Sequence, residues 1–250
     1  MKSTSLTALD PALIEAVRTQ LADDFAQRIF DAAPDVSGCI EFEARTSSVV
    51  VGNERLERAS KMLYARRRGL QSQVWSVFRR VFDERLCRLA AAGVDKTPRS
   101  RVGMPLLSDE RLYEEIAIGR FSRRLKEQSE FELWGLTTRI AAVAGADYPR
   151  DNQNPVAPEV FAQALMEAIS TVETDAVVRL VIFRMFGPVL LDILPAVYEA
   201  ANAAFTARGI TVERADYCGR SGGAPERVQL HGYASNTAYL PQSKVSGINQ

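Results

Sequence analysis

Apolar residues recur every three or four positions in long stretches of the chain, the spacing that places them on one face of an α-helix. The first stretch begins after Asp10, which suits a helix cap, and Pro11, which suits a first helical position. Pro34 and Gly38 are predicted to end this helix, and Ile40–Gly52 is predicted to be a loop. The apolar stripe consists of Leu13, Ile14, Val17, Leu21, Phe25, Ile29 and Phe30.

A second apolar stripe predicts one long helix from about Glu54 to Ala92. At the usual rise per residue such a helix would be about 55–60 Å long. We therefore expect it to bend or break near Gly69. The segment Gly93–Gly103 that follows has the composition of a linker. The stripe consists of Ala59, Leu63, Leu70, Val74, Val77, Val81, Leu86 and Leu89.

The stretch Ser108–Gly209 is a contiguous block of helical patterns. Its first helix is predicted to run from a cap at Ser108 to about Ala144. The turn-rich segment Gly145–Ala157 then leads to a helix that begins at Pro158, since proline is favoured at the first helical position.

The most apolar part of this block is Asp175–Phe186. Apolar residues occupy nearly every face of it, which predicts a central buried helix, and Thr174 is predicted to cap it. Gly187 is predicted to end this helix, and Pro188 to begin the last one. Gly209 is the expected C-terminal cap of that last helix.

Together these elements predict an all-α fold, a multi-helix bundle of about six helices that includes one long helix. We expect three regions: an N-terminal helical region with the long arginine-rich helix at 1–105, a helical bundle at 106–213 and a flexible tail at 214–250. The tail is predicted because Gly, Ser and Asn recur there without periodicity.

The composition adds a charge pattern to this picture. With 250 residues, 46% of them hydrophobic, the chain is long enough to bury a core without disulfides or metal. The formal net charge is zero, so there is no general attraction to nucleic acid or to an anionic membrane. However, Glu54–Arg80 carries eight basic and two acidic residues, whereas Ala141–Glu213 carries nine acidic and four basic ones. These opposite charges favour pairing between the two regions or the steering of a partner.

The expected location is the cytoplasm of a bacterium. The chain has three cysteines without CxxC spacing, which favours reduced thiols. We find no signal-peptide pattern at the N-terminus, and arginine greatly outnumbers lysine, as in proteins from GC-rich bacterial genomes. No apolar run reaches the roughly 18 residues that a membrane span needs. We therefore expect no membrane contact.

Five arginines of the long helix form a candidate site for an anionic partner, such as the phosphates of a nucleic acid. They are Arg66, Arg67, Arg68, Arg79 and Arg80. Consecutive residues fan out around a helix, so these side chains form a broad surface rather than a clamp. The alternative is a solvated helix face that pairs with the acidic region. Tyr64 and Trp75 would either stack on bases or anchor the core.

Two further arginines, Arg179 and Arg184, interrupt the most apolar helix. Buried arginines need carboxylate or carbonyl partners, and Asp192 and Glu173 are near enough in sequence to serve. We predict a buried ion pair here, with an anionic-ligand pocket or an interface as the alternative.

The residues predict no catalytic, cofactor-binding or metal site. His231 is the single histidine, and both it and Cys218 lie in the poorly patterned tail. A nucleophile–base pair and a di-metal site in a helical bundle both call for histidines on ordered elements. The glycine-rich Gly219–Gly223 lacks the strand and helix that flank a phosphate-binding loop. We therefore expect a protein that is not an enzyme.

Three stretches resemble the N-terminal part of a bacterial family, domain of unknown function 1631. They are Lys61–Phe82 (KMLYARRRGLQSQVWSVFRRVF), Leu106–Gly145 and Val177–Ile210 (VVRLVIFRMFGPVLLDILPAVYEAANAAFTARGI). The resemblance covers most of Asp24–Ile210 and implies a short, stand-alone form of that N-terminal part. The family has no assigned catalytic residues, so the resemblance implies none here.

The function that we expect is that of a non-enzymatic adaptor or scaffold, which binds a protein partner or a second copy through helix faces. Self-association is expected because Trp75, Phe78 and Phe82 would bury poorly in a small monomer. The alternative is a module that binds nucleic acid or a cyclic dinucleotide through the arginine-rich helix. That alternative predicts that binding weakens with salt and disappears on charge reversal at Arg67 and Arg68.

Overall fold

A computed structural model describes residues 11–46, 50–92 and 109–212, and the regular structure in these ranges is entirely helical. This confirms the predicted all-α, multi-helix fold. The described residues form seven α-helices and a short 3-10 helix at Asp151–Gln153. The α-helices are α1 (Pro11–Thr46), α2 (Val50–Ala65), α3 (Arg67–Ala92), α4 (Asp109–Gln128), α5 (Glu130–Val143), α6 (Pro158–Val172) and α7 (Ala176–Thr206).

The first helix is longer than the sequence pattern predicted, because α1 continues through Pro34 and Gly38 to Thr46. A proline inside a helix costs about 3 kcal/mol, since it removes a backbone hydrogen bond and crowds the preceding turn. The apolar face of α1 nevertheless continues beyond it through the fully buried Val36 and Ile40, and this burial offsets the cost. The predicted loop at Ile40–Gly52 is therefore wrong for most of its length.

The predicted long helix is divided in two, as its length suggested. The division between α2 and α3 lies at Arg66 rather than Gly69. Helix-type hydrogen bonds reach Arg66 from both sides, from its backbone N–H to the carbonyl of Met62 and from the N–H of Leu70 to its carbonyl, both at 2.9 Å. The division is therefore a single residue long.

A second division, which the pattern did not predict, separates α4 from α5 at Ser129. Its backbone angles, φ −117° and ψ 25°, lie outside the helical region. The predicted cap at Ser108, the linker at Gly93–Gly103 and the tail at 214–250 lie outside the described residues.

The prediction that Gly187 ends a helix and Pro188 begins another is also wrong, because α7 runs unbroken from Ala176 to Thr206. Leu190 and Leu194 continue the fully buried face beyond the proline. Two buried leucines, at about 1.5–3 kcal/mol each, outweigh the one hydrogen bond that Pro188 removes.

The C-terminal end of α7 closes with a glycine, as predicted. Gly209 takes a φ of +79°, the left-handed conformation in which glycine has no side chain to strain. The N–H of Ile210 bonds to the carbonyl of Phe205 at 3.1 Å, and that of Gly209 to Thr206 at 2.9 Å. This pair of bonds is a Schellman motif, which satisfies carbonyls that the helix end would otherwise leave free.

The helices pack around one hydrophobic core, which contains buried residues from Leu13 in α1 to Phe205 in α7. Its centre is aromatic: the ring of Phe161 lies 4.8 Å from Phe78, 5.1 Å from Phe25 and 5.6 Å from Tyr198. These residues come from α6, α3, α1 and α7. Both predicted regions, 1–105 and 106–213, thus contribute to the same core.

Candidate functional site

Two of the five predicted arginines are held in place by neighbouring carboxylates. Arg79 donates to Glu15 at 2.9 Å and to Thr19 at 3.0 Å. Arg80 donates to Glu84 at 2.7 Å and also to Glu167, and the bond to Glu84 is the largest cause that raises the pKa of Arg80. Glu167 belongs to the acidic region Ala141–Glu213, so the two oppositely charged regions meet within one chain.

The other three arginines surround the break between α2 and α3. The guanidinium of Arg67 stacks on the rings of Tyr64 and Phe30, 4.6 Å and 5.2 Å from their centroids. Arg66 and Arg68 are exposed, and within the described ranges neither forms an ion pair. The five side chains therefore do not converge on one point, and their role as an anion-binding site stays a prediction.

Tyr64 and Trp75, the two aromatics beside these arginines, are half-exposed. The guanidinium of Arg79 stacks over the ring of Trp75, 4.6 Å from its centroid. The indole N–H of Trp75 donates to Asp23 at 2.7 Å. The faces that would stack on a nucleobase are thus partly covered by the arginines themselves.

Arg179 forms a part-buried ion pair, although its partner is neither Asp192 nor Glu173. Its Nε and Nη2 both donate to one oxygen of Glu114, at 2.9 and 2.8 Å, and its Nη1 donates to the carbonyl of Thr174 at 2.6 Å. This cluster ties the N-terminal parts of α4 and α7 together. Arg184 is exposed and pairs with Glu43 of α1 at 2.5 Å.

From this ion pair onward, α4 and α7 lie side by side and run in the same direction. Phe121 of α4 stacks edge-on against Phe183 of α7, with their ring centroids 6.1 Å apart. Both residues lie further along their helices than Glu114 and Arg179. The two helices therefore border an elongated surface.

A groove of about 500 Å³ lies between these two helices. Its floor is apolar and is formed by Phe121, Leu180, Val181, Phe183, Pro188 and Leu191. Three arginines line it as well, Arg120 and Arg124 from α4 and Arg184 from α7. Arg120 and Arg124 are exposed, and among the described residues neither has a carboxylate partner.

Two large apolar side chains, Tyr113 and Ile116, extend the groove toward the N-terminal end of α4, and the exposed Val177 of α7 lines the groove itself. The exposed fractions are 60% for Tyr113, 41% for Ile116 and 69% for Val177. Tyr113 and Ile116 lie four residues before Ala117 and Arg120, so they continue the groove-facing side of α4. We call the groove and this extension the α4–α7 face. It comprises the groove residues Ala117, Arg120, Phe121, Arg124, Val177, Leu180, Val181, Phe183, Arg184, Gly187, Pro188 and Leu191 and, as the extension, Leu112, Tyr113 and Ile116.

Sequence reasoning missed a buried polar cluster between α5 and α7. Arg139, only 9% exposed, donates to Asn202 at 2.8 Å and to the carbonyl of Ile210 at 3.1 Å. Asn202 in turn donates to the backbone carbonyl and the carboxylate of Glu132. Burial lowers the pKa of Arg139. Gly135 makes room for the guanidinium, since a Cβ there would lie 2.9 Å from it. The one feature of the sequence that could have indicated this cluster is Asn202, a polar residue within the apolar helix α7.

Within the described part of the chain, no group of three or more His, Cys, Asp or Glu side chains could hold a metal ion. Cys39 and Cys87 are exposed free thiols. His231, Cys218 and Gly219–Gly223 lie outside the described residues.

Helix α7 is long and apolar enough to cross a membrane by length and composition, with a mean hydropathy of 1.9. Core helices of globular proteins have the same properties. In this fold 39% of the apolar window of α7 is buried, and Phe186, Leu190 and Leu194 are among the fully buried residues of the helix.

These features define a helical fold in the described residues, with an exposed apolar groove between α4 and α7. The chain belongs to the DUF1631 family, a protein family of unknown function, because the model of that family's N-terminal domain matches residues 9–209. This match confirms the resemblance found in the sequence. No curated protein and no solved structure is significantly similar to the chain.

Proposed function

We propose that the protein is a non-enzymatic adaptor or scaffold of the bacterial cytoplasm, which binds another protein through the α4–α7 face. The observation that carries the proposal is the exposure of Tyr113, Ile116 and Val177 beside an open apolar groove. Large apolar side chains that are contiguous on a surface commonly mark a site of protein association.

The composition of the α4–α7 face also supports the proposal. Tyrosine and arginine are enriched in the cores of protein interfaces, whereas lysine and acidic residues are depleted there. The face combines Tyr113 with three arginines and aliphatic residues, and it contains no lysine. Its most exposed members lie on helices, which present them to a partner at fixed spacing.

The alternative, nucleic-acid or cyclic-dinucleotide binding through the arginine-rich helix, has weaker support. Arg79 and Arg80 are engaged by internal carboxylates, and Arg67 is stacked on two rings. Binding of phosphates by these side chains would have to displace partners that are already in place.

The experiment is a comparison of tagged variants purified from native lysate, with and without nuclease. The double variant Tyr113→Glu/Val177→Glu places charge on the α4–α7 face at exposed positions, so its fold is expected to be preserved. Tyr64→Glu is the matched control, because Tyr64 is another exposed aromatic, 53% exposed, on a different helix.

We expect a stoichiometric protein partner, resistant to nuclease, to copurify with the wild type and with the control but not with the double variant. Circular dichroism checks that all three proteins remain equally helical. A partner that all three proteins retain would place the interface elsewhere. Partners lost on nuclease treatment would instead favour nucleic-acid binding.

A further inference from the structure

The shape and the charges of the α4–α7 face indicate what kind of partner would bind there. We propose that it receives an amphipathic helix of a partner protein, one that carries acidic residues beside its apolar stripe. This inference rests on the proposed adaptor function and specifies the class of partner.

The shape of the face fits a helix. From Leu112 to Arg124 it follows α4 for about 18 Å, and from Val177 to Leu191 it follows α7 for about 21 Å, at the usual helical rise. A groove between two parallel helices is a common receptor for a third helix, which inserts apolar residues at i, i+3, i+4 and i+7. A guest helix of roughly 12–14 residues would match this length.

The apolar surface is too extended for a small ligand alone. The groove encloses about 500 Å³, within the range of small-molecule sites. However, Tyr113 and Ile116 lie beyond the lining of the groove, toward the N-terminus of α4, and a small molecule inside the groove would leave them in water. A helix would cover the groove and its extension together.

The charges on the face specify the guest further. Arg120 and Arg124 follow one another at a spacing of four residues, so they project from the same side of α4. Both are exposed beside the apolar floor, and within the described part of the chain neither has an acidic partner. Guanidinium groups bind carboxylates through paired, charge-assisted hydrogen bonds.

The distribution of these charges also selects against other occupants. Exposed arginines disfavour a basic helix by like-charge repulsion. A nucleic acid would satisfy the arginines, but its sugar–phosphate backbone would leave the apolar floor uncovered. An acidic amphipathic helix satisfies both parts of the face, with its carboxylates beside Arg120 and Arg124 and its apolar stripe on the floor.

The test uses the full chain and a phage-displayed library of 16-residue helical peptides. The library fixes apolar residues at helical spacing and varies the flanking positions among Glu, Lys, Gln and Ala. Selected peptides are synthesised, and their affinity is measured by fluorescence anisotropy. Three proteins are compared: the wild type, Arg120→Glu/Arg124→Glu and Arg66→Glu/Arg68→Glu. The last is the matched control, since it reverses the charge of two other exposed, unpaired arginines.

We expect selection to enrich Glu at the flanking positions. The selected peptides should bind Arg120→Glu/Arg124→Glu at least about tenfold more weakly than wild type, and should bind the control nearly as well as wild type. Replacement of the peptide Glu residues by Lys should restore affinity for the Arg120→Glu/Arg124→Glu protein alone.

The inference is overturned if no peptides are enriched, if Glu is not favoured, or if the control loses affinity to the same degree. A lipid or other small amphiphile found in the groove by native mass spectrometry would also overturn it. If the copurified partner depends on Tyr113 and Val177 but not on Arg120 and Arg124, the acidic-helix inference fails while the adaptor function stands. If peptides bind as expected and no partner copurifies, it is the adaptor function that fails.

Discussion

At the scale of single residues, the core contains polar groups held by hydrogen bonds, several of which join residues that are distant in sequence. The hydroxyl of Tyr198, which is fully buried, donates to the carbonyl of Val156 at 3.0 Å. Asn154 holds the same segment, since its amide donates to Thr137 at 2.9 Å and its oxygen accepts from the N–H of Val156 at 3.0 Å. The bond from Tyr198 attaches the connection between α5 and α6 to α7, and the bond from Asn154 to Thr137 attaches it to α5. They compensate the cost of burying polar atoms.

Replacement of Tyr198 by Phe tests this role. We expect its effect on the free energy of unfolding to depend on pH. Burial raises the pKa of Tyr198 well above its ordinary value of 10.0. The hydroxyl thus stays neutral in the folded protein at pH values where it ionises in the unfolded chain. Its contribution to the free energy of unfolding is therefore fully present below about pH 10 and is lost as the pH rises further.

We expect Tyr198→Phe to lower the free energy of unfolding by about 1 kcal/mol at pH 8, where a hydrogen bond is lost. At about pH 11 the difference should shrink or reverse. Above pH 10 the tyrosine ionises only in the unfolded chain, so each further pH unit lowers the free energy of unfolding of the wild type by up to ~1.4 kcal/mol. Urea unfolding followed by circular dichroism at both pH values measures this. A difference that stays constant with pH would contradict the account.

At the scale of elements, the start of a helix depends on which side chain caps it, and two neighbouring residues can both be suitable caps. Thr174 and Asp175 are both good N-cap residues. The structure uses Asp175, whose carboxylate accepts from the N–H of Val177 at 2.9 Å and of Val178 at 3.3 Å. Arg55 of α2 donates to the other oxygen of the same carboxylate at 3.0 Å, which favours Asp175 over its neighbour.

Alanine substitutions at Asp175 and at Thr174 compare how much each residue contributes to the cap of α7. Asp175→Ala should lower the free energy of unfolding by about 1 kcal/mol, because two amide groups of α7 lose their acceptor. Thr174→Ala, the matched control, should change it by less than about 0.5 kcal/mol. Chemical denaturation measures both. Equal losses in the two variants would indicate that Thr174 shares the capping role.

At the scale of the whole molecule, the uneven charge distribution is partly satisfied within the chain. Arg80 pairs with Glu167, and Arg55 with Asp175, so the basic region Glu54–Arg80 contacts the acidic one. Exposed pairs of this kind stabilise little, about 0–1 kcal/mol each, but they occupy arginines that would otherwise attract phosphates. Phe78 and Phe82 are fully buried in the monomer. Self-association, which was expected from Trp75, Phe78 and Phe82 together, stays a prediction that these two buried side chains do not support.

This arrangement predicts weak binding to nucleic acid. We expect a labelled oligonucleotide to bind the protein only at low salt, with affinity that falls steeply between about 50 and 200 mM salt. Fluorescence anisotropy at both salt concentrations measures this. Tight binding at the higher concentration that Arg67→Glu/Arg68→Glu abolishes would favour the nucleic-acid alternative over the adaptor.

The sequence by itself determined the all-helical class, the family and most of the helical faces, because a repeat of three to four residues is a local property of the chain. It also determined the glycine end of α7, since only glycine adopts the left-handed conformation of Gly209 without strain. Only the tertiary structure decided where prolines are tolerated, because the burial that offsets their cost comes from other helices. For the same reason it alone paired Arg179 with Glu114, buried Arg139 beside Asn202 and left Arg120 and Arg124 beside an open groove. These outcomes depend on contacts between residues that are far apart in sequence, and no local pattern encodes them.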